Sequence, residues 1–338
     1  MNKIKEWLSK SKNTLLLWFS LLITIGAVAI YSVGAFNAYL PFMITGIVLF
    51  IICCYLPKKW LIRVSIVWGC IGIGLILKTL IVPEYIAGAT RYTHVFGISI
   101  DPYMLFLPAY TVLMALFFEK HKTWLNLLCA LITLFVLLNA MHAPYISMAM
   151  VYLVLFIALF LTNTTRKKLY TGLLLAVVIF MVGSIALLPH VQTRLLSVFY
   201  ANTDTVLWYV RNMIMNSDFV GANPIAESYL SKIPSAPTYY MLYAIGAKFG
   251  LFAICAVLFA EYKLISNILH NNKDNFSKTL TIGTAILLII GVVMQLLTAV
   301  MAGTNWYLPF VSLGGISLLA YCALVGITYR VCADYEKL

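Results

Sequence analysis

Acidic residues are scarce in this chain of 338 residues: Asp and Glu together number 11, against 23 Lys and Arg, and charged residues of either sign make up only 10%. Soluble domains carry about a quarter charged residues, and a chain with so little polar surface does not stay dispersed in water. A cleavable signal peptide is not expected either, because the first apolar run is too long and no small-residue cleavage site follows it. The seven cysteines (Cys53, Cys54, Cys70, Cys129, Cys255, Cys322, Cys332) lie in or at the ends of apolar tracts. None has zinc-site spacing, so they read as packing residues and not as a disulfide framework. The histidines are scattered singly and there is no phosphate-cradling Gly-rich loop, so no metal site and no cofactor is expected.

What the chain does have is apolar sequence: 63% of residues are hydrophobic and the mean hydropathy is +0.96. A helix needs about 20 apolar residues to cross a bilayer. Tracts of about that length recur near 14–33, 39–56, 64–82, 103–118, 125–141, 146–162, 171–188, 239–260, 281–301 and 314–330. The expectation is an all-α, polytopic membrane bundle of about ten transmembrane helices, forming a single domain over 1–338. The net charge of +12 does not point to nucleic acid, since the basic residues sit at tract ends and form no basic face. Most of them fall on alternate links, leaving Lys78, Arg91, Arg194, Arg211, Lys232 and Lys248 on or near the other side. That bias predicts both termini in the cytoplasm.

The longest polar interruption runs from Pro189 to Tyr240 and carries Arg194, Asp204, Arg211, Asp218, Glu227 and Lys232. With the termini inside, it is an extracytoplasmic loop between helices 7 and 8. Within it, Asp204 to Asn216 has apolar residues around much of a helical wheel, which predicts a short helix on the membrane surface or tucked into the bundle. Gly221 to Pro224 reads as a turn.

Other links on that side also collect polar residues. Glu84, Arg91, His94 and Asp101 follow the third tract, His142 and Pro144 the fifth, and Thr304 to Gly315 precede the last. Trp306 and Tyr307 read as interfacial anchors. Arg91 either meets a phosphate, whose oxygens suit a guanidinium fork, or pairs with Asp101 or Glu84. Arg194 and Arg211 divide the same way. Gly314 and Gly315 read as sites of close helix packing. No series of intramembrane carboxylates suggests an ion or proton pump.

In order along the chain, these motifs resemble those of the SEDS family, the FtsW, RodA and SpoVE proteins of bacterial cell-wall synthesis. Leu308 to Gly315 (LPFVSLGG) is similar to that family's LPFxSxGG, and Gly88 to Tyr92 to its GxRW. Asp101-Pro102 stands where it has QPSE, Ala143 to Ser147 where it has QPDLGT, and Ile233 to Gly250 where it has LPE, HTDFIF and GEELG. The resemblance implies polymerisation of lipid II, an undecaprenyl-diphosphate-linked disaccharide peptide, beside a class B penicillin-binding transpeptidase, in division, shape or sporulation. It also implies contacts to that precursor from Arg91, Arg194, Arg211, Thr238 and Ser312. The family's proposed catalytic Asp position holds Tyr239, a poor base near neutral pH with an ordinary pKa of about 10. Met104, Tyr145 and Ala247-Lys248 likewise replace motif acids, and Leu107 a motif Lys.

Two readings follow from that pattern. In one, the chain binds the lipid-linked precursor or a synthase partner without catalysis. In the other, it is a divergent glycosyltransferase whose base is another acid, Asp218 or Glu227, with Asp101 further off. A flippase for such lipids is a third possibility, though no energy-coupling residue supports it. An O-antigen ligase or polymerase shares the helix count and large loop but not the motif order.

Overall fold

In a computed structural model of the chain, residues 11–82, 92–95, 97–120, 122–143, 145–163, 179, 183, 206–233, 236–270, 274–299 and 306–333 are described. The span expected near 171–188, together with Arg91 and Arg194, lies outside them. The described residues form an α-helical bundle with one small hairpin. Helices α1 (Ser11–Ser32), α2 (Phe36–Tyr55) and α3 (Lys58–Ile81) lead into strands β1 (Thr93–Val95) and β2 (Ile98–Ile100). Then come α4 (Pro102–Glu119), α5 (Thr123–His142) and α6 (Ile146–Asn163). The loop region contributes α7 (Val206–Met215), α8 (Pro224–Leu230) and α9 (Ala236–Tyr239). The chain continues with α10 (Met241–Phe249), α11 (Leu251–Leu269), α12 (Asn275–Leu297) and α13 (Gly315–Ala333). Among the described residues, seven helices (α1 to α5, α11 and α12) are long and apolar enough to cross a membrane, and α6 and α13 are shorter apolar helices. The chain is a multi-pass membrane protein.

Ion pairs and helix-end contacts define one face. Lys58 Nζ lies 3.8 Å from Glu119 Oε1 and 3.6 Å from Asp274 Oδ2. Arg330 Nε donates to the Leu56 carbonyl at 3.2 Å. The starts of α3 and α12 and the ends of α2, α4 and α13 therefore share this Lys58 face. The hairpin, Asp101 and α9 lie at the opposite ends of the same helices.

Helix α4 is the centre of the bundle, with 14 of its 18 residues buried. It packs against α3, α5, α6, α12 and α13. Its neighbours are protein and not lipid, so it can hold Tyr103, Tyr110, Thr111 and an internal proline, Pro108, at membrane depth. That composition is why its hydrophobic tract looks short. Small residues set the close contacts: a Cβ on Gly72 would lie 2.8 Å from the Phe106 ring, and one on Gly326 would lie 2.7 Å from the Phe50 carbonyl.

The single helix expected near 239–260 is instead two. Helix α10 is a short element whose residues from Met241 to Ala247 are all buried. It ends at Gly250, whose φ of 89° and ψ of 169° suit glycine alone. A Cβ there would sit 2.7 Å from the Phe219 carbonyl. The turn lets the 218–219 backbone cap the next helix: Leu251 N donates to Asp218 O at 2.9 Å and Phe252 N to Phe219 O at 3.0 Å. The spanning helix α11 starts only after this reversal.

The helix expected from Asp204 to Asn216 is α7, tucked inward on Leu207, Val210 and Met213 against α8 and α10. At the Gly221–Pro224 turn, Asn223 Oδ1 accepts from Ile225 N at 2.9 Å and Ala226 N at 3.2 Å, capping α8.

Candidate functional site

The hairpin delivers two side chains to one spot. Its register pairs Thr93 with Ile100, which makes Tyr92 and Asp101 the next positions across the ladder. Lys78 Nζ holds it to α3 by donating to His94 O at 2.7 Å.

Asp101 is 3% exposed and starts α4. Its Oδ1 accepts from Tyr103 N and Met104 N, each at 3.1 Å, and Pro102 fills the first helical position, where a missing N–H costs nothing. Its Oδ2 accepts from the Tyr145 hydroxyl at 3.0 Å. A buried carboxylate is tolerable only when hydrogen-bonded in this way. Tyr145 opens α6, and its ring meets Tyr103 edge to face at 5.8 Å.

From the other side, α9 brings Tyr239 and the 306–314 segment brings Tyr307. The Tyr92 hydroxyl lies 3.2 Å from that of Tyr239 and 3.4 Å from that of Tyr307. The Tyr239 and Tyr307 rings are 5.3 Å apart. Burial first, then the nearby Tyr145, Tyr239, Tyr92 and Asp101, pushes Tyr307 well above the ordinary tyrosine range. Tyr307 therefore keeps its proton and remains a hydrogen-bond donor at physiological pH.

Gln295, fully buried near the end of α12, ties the two segments together. Its Nε2 donates to the Tyr239 carbonyl at 2.9 Å and to the Trp306 carbonyl at 2.5 Å. Leu313 N donates to Pro237 O at 2.8 Å. The LPFVSLGG segment is held by its own side chains: Ser312 Oγ accepts from Leu308 N at 2.8 Å, and Tyr39 donates to the Phe310 carbonyl at 2.8 Å. A Cβ on Gly314 would overlap the Tyr307 ring, and one on Gly315 would lie 2.5 Å from Phe42. These glycines make room for side chains, Gly314 directly for the site tyrosine.

Of the residues singled out in the sequence, Asp101, Tyr145, Tyr239 and Tyr307 come together in this cluster, Tyr307 buried there and not an interfacial anchor, and Thr238 is half-buried on the same turn as Tyr239. Ser312 is buried, and its oxygen closes a turn. Arg211 Nε donates to Ala299 O at 3.2 Å, strapping α7 to the end of α12. Glu227 Oε1 is 3.0 Å from Lys248 Nζ, so this acid already has a cation. Asp218 is exposed and accepts from Asn223 Nδ2 at 3.1 Å. Through Lys248 and Leu251, respectively, both acids lie at the far end of α10 from Tyr239, and α10's nine residues are about 13 Å long. Neither is brought to the tyrosine cluster; Asp101 is the carboxylate that joins it among the described residues. Trp306 is not an interfacial anchor: it is fully buried and its indole N–H donates to the Tyr321 hydroxyl at 3.3 Å. Gln295 and the Tyr92 contacts had no clear signal along the chain, whereas Asp-Pro at a helix start is a legible capping signal.

The fold matches solved structures. A chain from a peptidoglycan synthase complex, described for its coordination of polymerisation and crosslinking, superposes with a TM-score of 0.79 at 20% identity over 96% of this chain and 98% of that one. Rod shape determining protein RodA of Thermus thermophilus matches with a TM-score of 0.70 at 19% identity over 95% and 96% of the two chains. An aspartate-to-alanine mutant of the same protein gives 0.71 at 19% identity with the same coverage. No curated protein sequence matches the chain significantly. The family model described as FtsW/RodA/SpoVE cell cycle protein matches residues 9–337. By that match over almost its whole length, the chain belongs to the FtsW/RodA/SpoVE family.

Proposed function

We propose that the chain serves bacterial cell-wall synthesis by binding an undecaprenyl-diphosphate-linked glycan precursor, such as lipid II, at the Asp101–tyrosine cluster. In this reading the cluster faces the extracytoplasmic side of the cytoplasmic membrane and both termini are cytoplasmic. A class B penicillin-binding transpeptidase is the expected partner. One observation carries the reading: four segments distant in sequence, each within or directly beside a family-like motif, bring Tyr92, Asp101, Tyr145, Tyr239 and Tyr307 together. Phenol hydroxyls both donate and accept, which suits the hydroxyl and amide groups of an amino sugar. Arg91 directly precedes Tyr92 in the chain and supplies the charge a diphosphate needs.

Binding without transfer is favoured because the phenol of Tyr239 stands where a base would be needed and Glu227 is neutralised by Lys248. A second reading rests on Asp101. As the carboxylate in the cluster, it can take the proton of an attacking sugar hydroxyl by way of Tyr145, which passes its own proton to Oδ2. Purified protein given lipid II decides between them. Binding without polymer supports the first reading. Polymer that disappears in Asp101→Asn but persists in Asp218→Asn and Glu227→Gln supports the second. Failure to bind lipid II rejects both.

A further inference from the structure

Helix α3 presents a stripe of side chains that the bundle leaves uncovered. Trp60, Val64, Val67 and Ile71 lie on one helical face and are 56%, 45%, 60% and 55% exposed. They line a groove of about 490 Å³. Its floor is fixed: Trp68 Nε1 donates to the Leu105 carbonyl at 2.7 Å, next to the Met104 carbonyl that Pro108 deprives of its helical donor. The groove is therefore a built feature of the α3–α4 contact.

Two further properties indicate what occupies it. From Trp60 to Ile71 the helix rises about 16 Å, close to the ~15 Å of hydrocarbon in one bilayer leaflet. It starts at the Lys58 face, where α3 enters the membrane, and reaches the middle of the bundle. At its entrance Arg63 lines the wall, with its guanidinium carbon 5.3 Å from the Trp60 ring centre and no carboxylate within ion-pair distance among the described residues. Lys59 is exposed beside it. Lys58, one residue earlier, is by contrast turned to Glu119 and Asp274. One end is thus cationic and the rest apolar over the length of one acyl layer.

We propose that this groove binds one anionic glycerophospholipid from the leaflet at the Lys58 face, with an acyl chain along Val64, Val67 and Ile71 and its phosphate on Arg63. Trp60 sits at headgroup depth, as interfacial tryptophans do. The guanidinium is held over that ring and presents its remaining donors to phosphate oxygens. The site lies on the opposite face from the tyrosine cluster and does not depend on the function proposed for it.

Native mass spectrometry of the full-length protein, released from mixed phosphatidylglycerol and phosphatidylcholine nanodiscs, tests the proposal. Wild type should retain phosphatidylglycerol preferentially. Arg63→Gln should lower that preference about fivefold, the effect of one basic residue at a membrane surface, and Arg63→Lys should keep most of it. Trp60→Ala should weaken retention of both lipids, and added inorganic phosphate should leave the preference unchanged. Equal retention of the two lipids by wild type, an unchanged preference in Arg63→Gln, or competition by inorganic phosphate would each overturn it.

Discussion

Asp101 offers the sharpest test of how the cluster is held. Its carboxylate and Tyr145 are 3% and 4% exposed, so their hydrogen bonds are not exchanged for water. Asp101→Ala removes two backbone cap bonds, worth about 1 kcal/mol, and the charge-assisted bond from Tyr145, worth about 2 kcal/mol. The expected loss is ~3 kcal/mol. Asp101→Asn separates these contributions: Asn caps as well as Asp, but its Nδ2 replaces the Oδ2 acceptor, so the Tyr145 hydroxyl must turn to accept from it in a neutral bond; the change should cost about 1 kcal/mol. Tyr145→Phe strips one donor from a carboxylate that keeps its cap, costing about 2 kcal/mol. Combined with Asp101→Ala, it should fall short of additivity by ~1–2 kcal/mol, since both changes delete the same bond. Equilibrium unfolding in mixed micelles of rising denaturing-detergent fraction reads these differences. If Asp101→Asn proves as costly as Asp101→Ala, or the coupling is under ~0.5 kcal/mol, the Asp101–Tyr145 bond does not organise the site.

Three other outcomes are expected. Gly250→Ala should destabilise by at least ~2 kcal/mol, combining a positive-φ conformation with a Cβ that meets the Phe219 carbonyl; a loss under ~0.5 kcal/mol would argue against the reversal between α10 and α11. Glu261, in mid-α11, is buried and neither oxygen has a hydrogen-bond partner among the described residues, so Glu261→Leu should stabilise by ~1 kcal/mol or more in the same assay. Marked destabilisation would mean that the acid has a partner. Burial first raises both Tyr307 and Tyr240, so above about pH 10 the unfolded chain releases protons that the fold retains. The unfolded state then binds fewer protons, and the thermal midpoint should fall from about pH 10 upward, less steeply in a Tyr307→Phe, Tyr240→Phe variant. An unchanged slope in that variant would exclude these two groups as the cause.

Helices facing lipid were legible because lipid demands long apolar runs, and the boundaries of α1, α2 and α5 follow their tracts closely. Helix α4 was less so, because its neighbours are side chains that tolerate tyrosine, threonine and proline. The α10–α11 break was hidden for a different reason. Gly250 is one glycine among 19, and only the Phe219 carbonyl shows why it must be glycine. Motif order pointed to the segments that carry the tyrosine cluster but could not rank the acids. Sequence distance favoured Glu227 over Asp101, whereas folding sends Glu227 to Lys248 and brings Asp101 across the hairpin from Tyr92. Capping explains Asp101 locally; its contact with Tyr145, 44 positions away, is tertiary and had no signal in the chain.

The most direct test of the central claim is site-specific photocrosslinking. A photoreactive phenylalanine analogue at Tyr92 or Tyr239, in full-length protein reconstituted with lipid II, should capture the precursor. The same analogue at Tyr55, on the Lys58 face, should not. Equal capture at all three positions, or none at Tyr92 and Tyr239, would contradict a precursor site at the Asp101–tyrosine cluster.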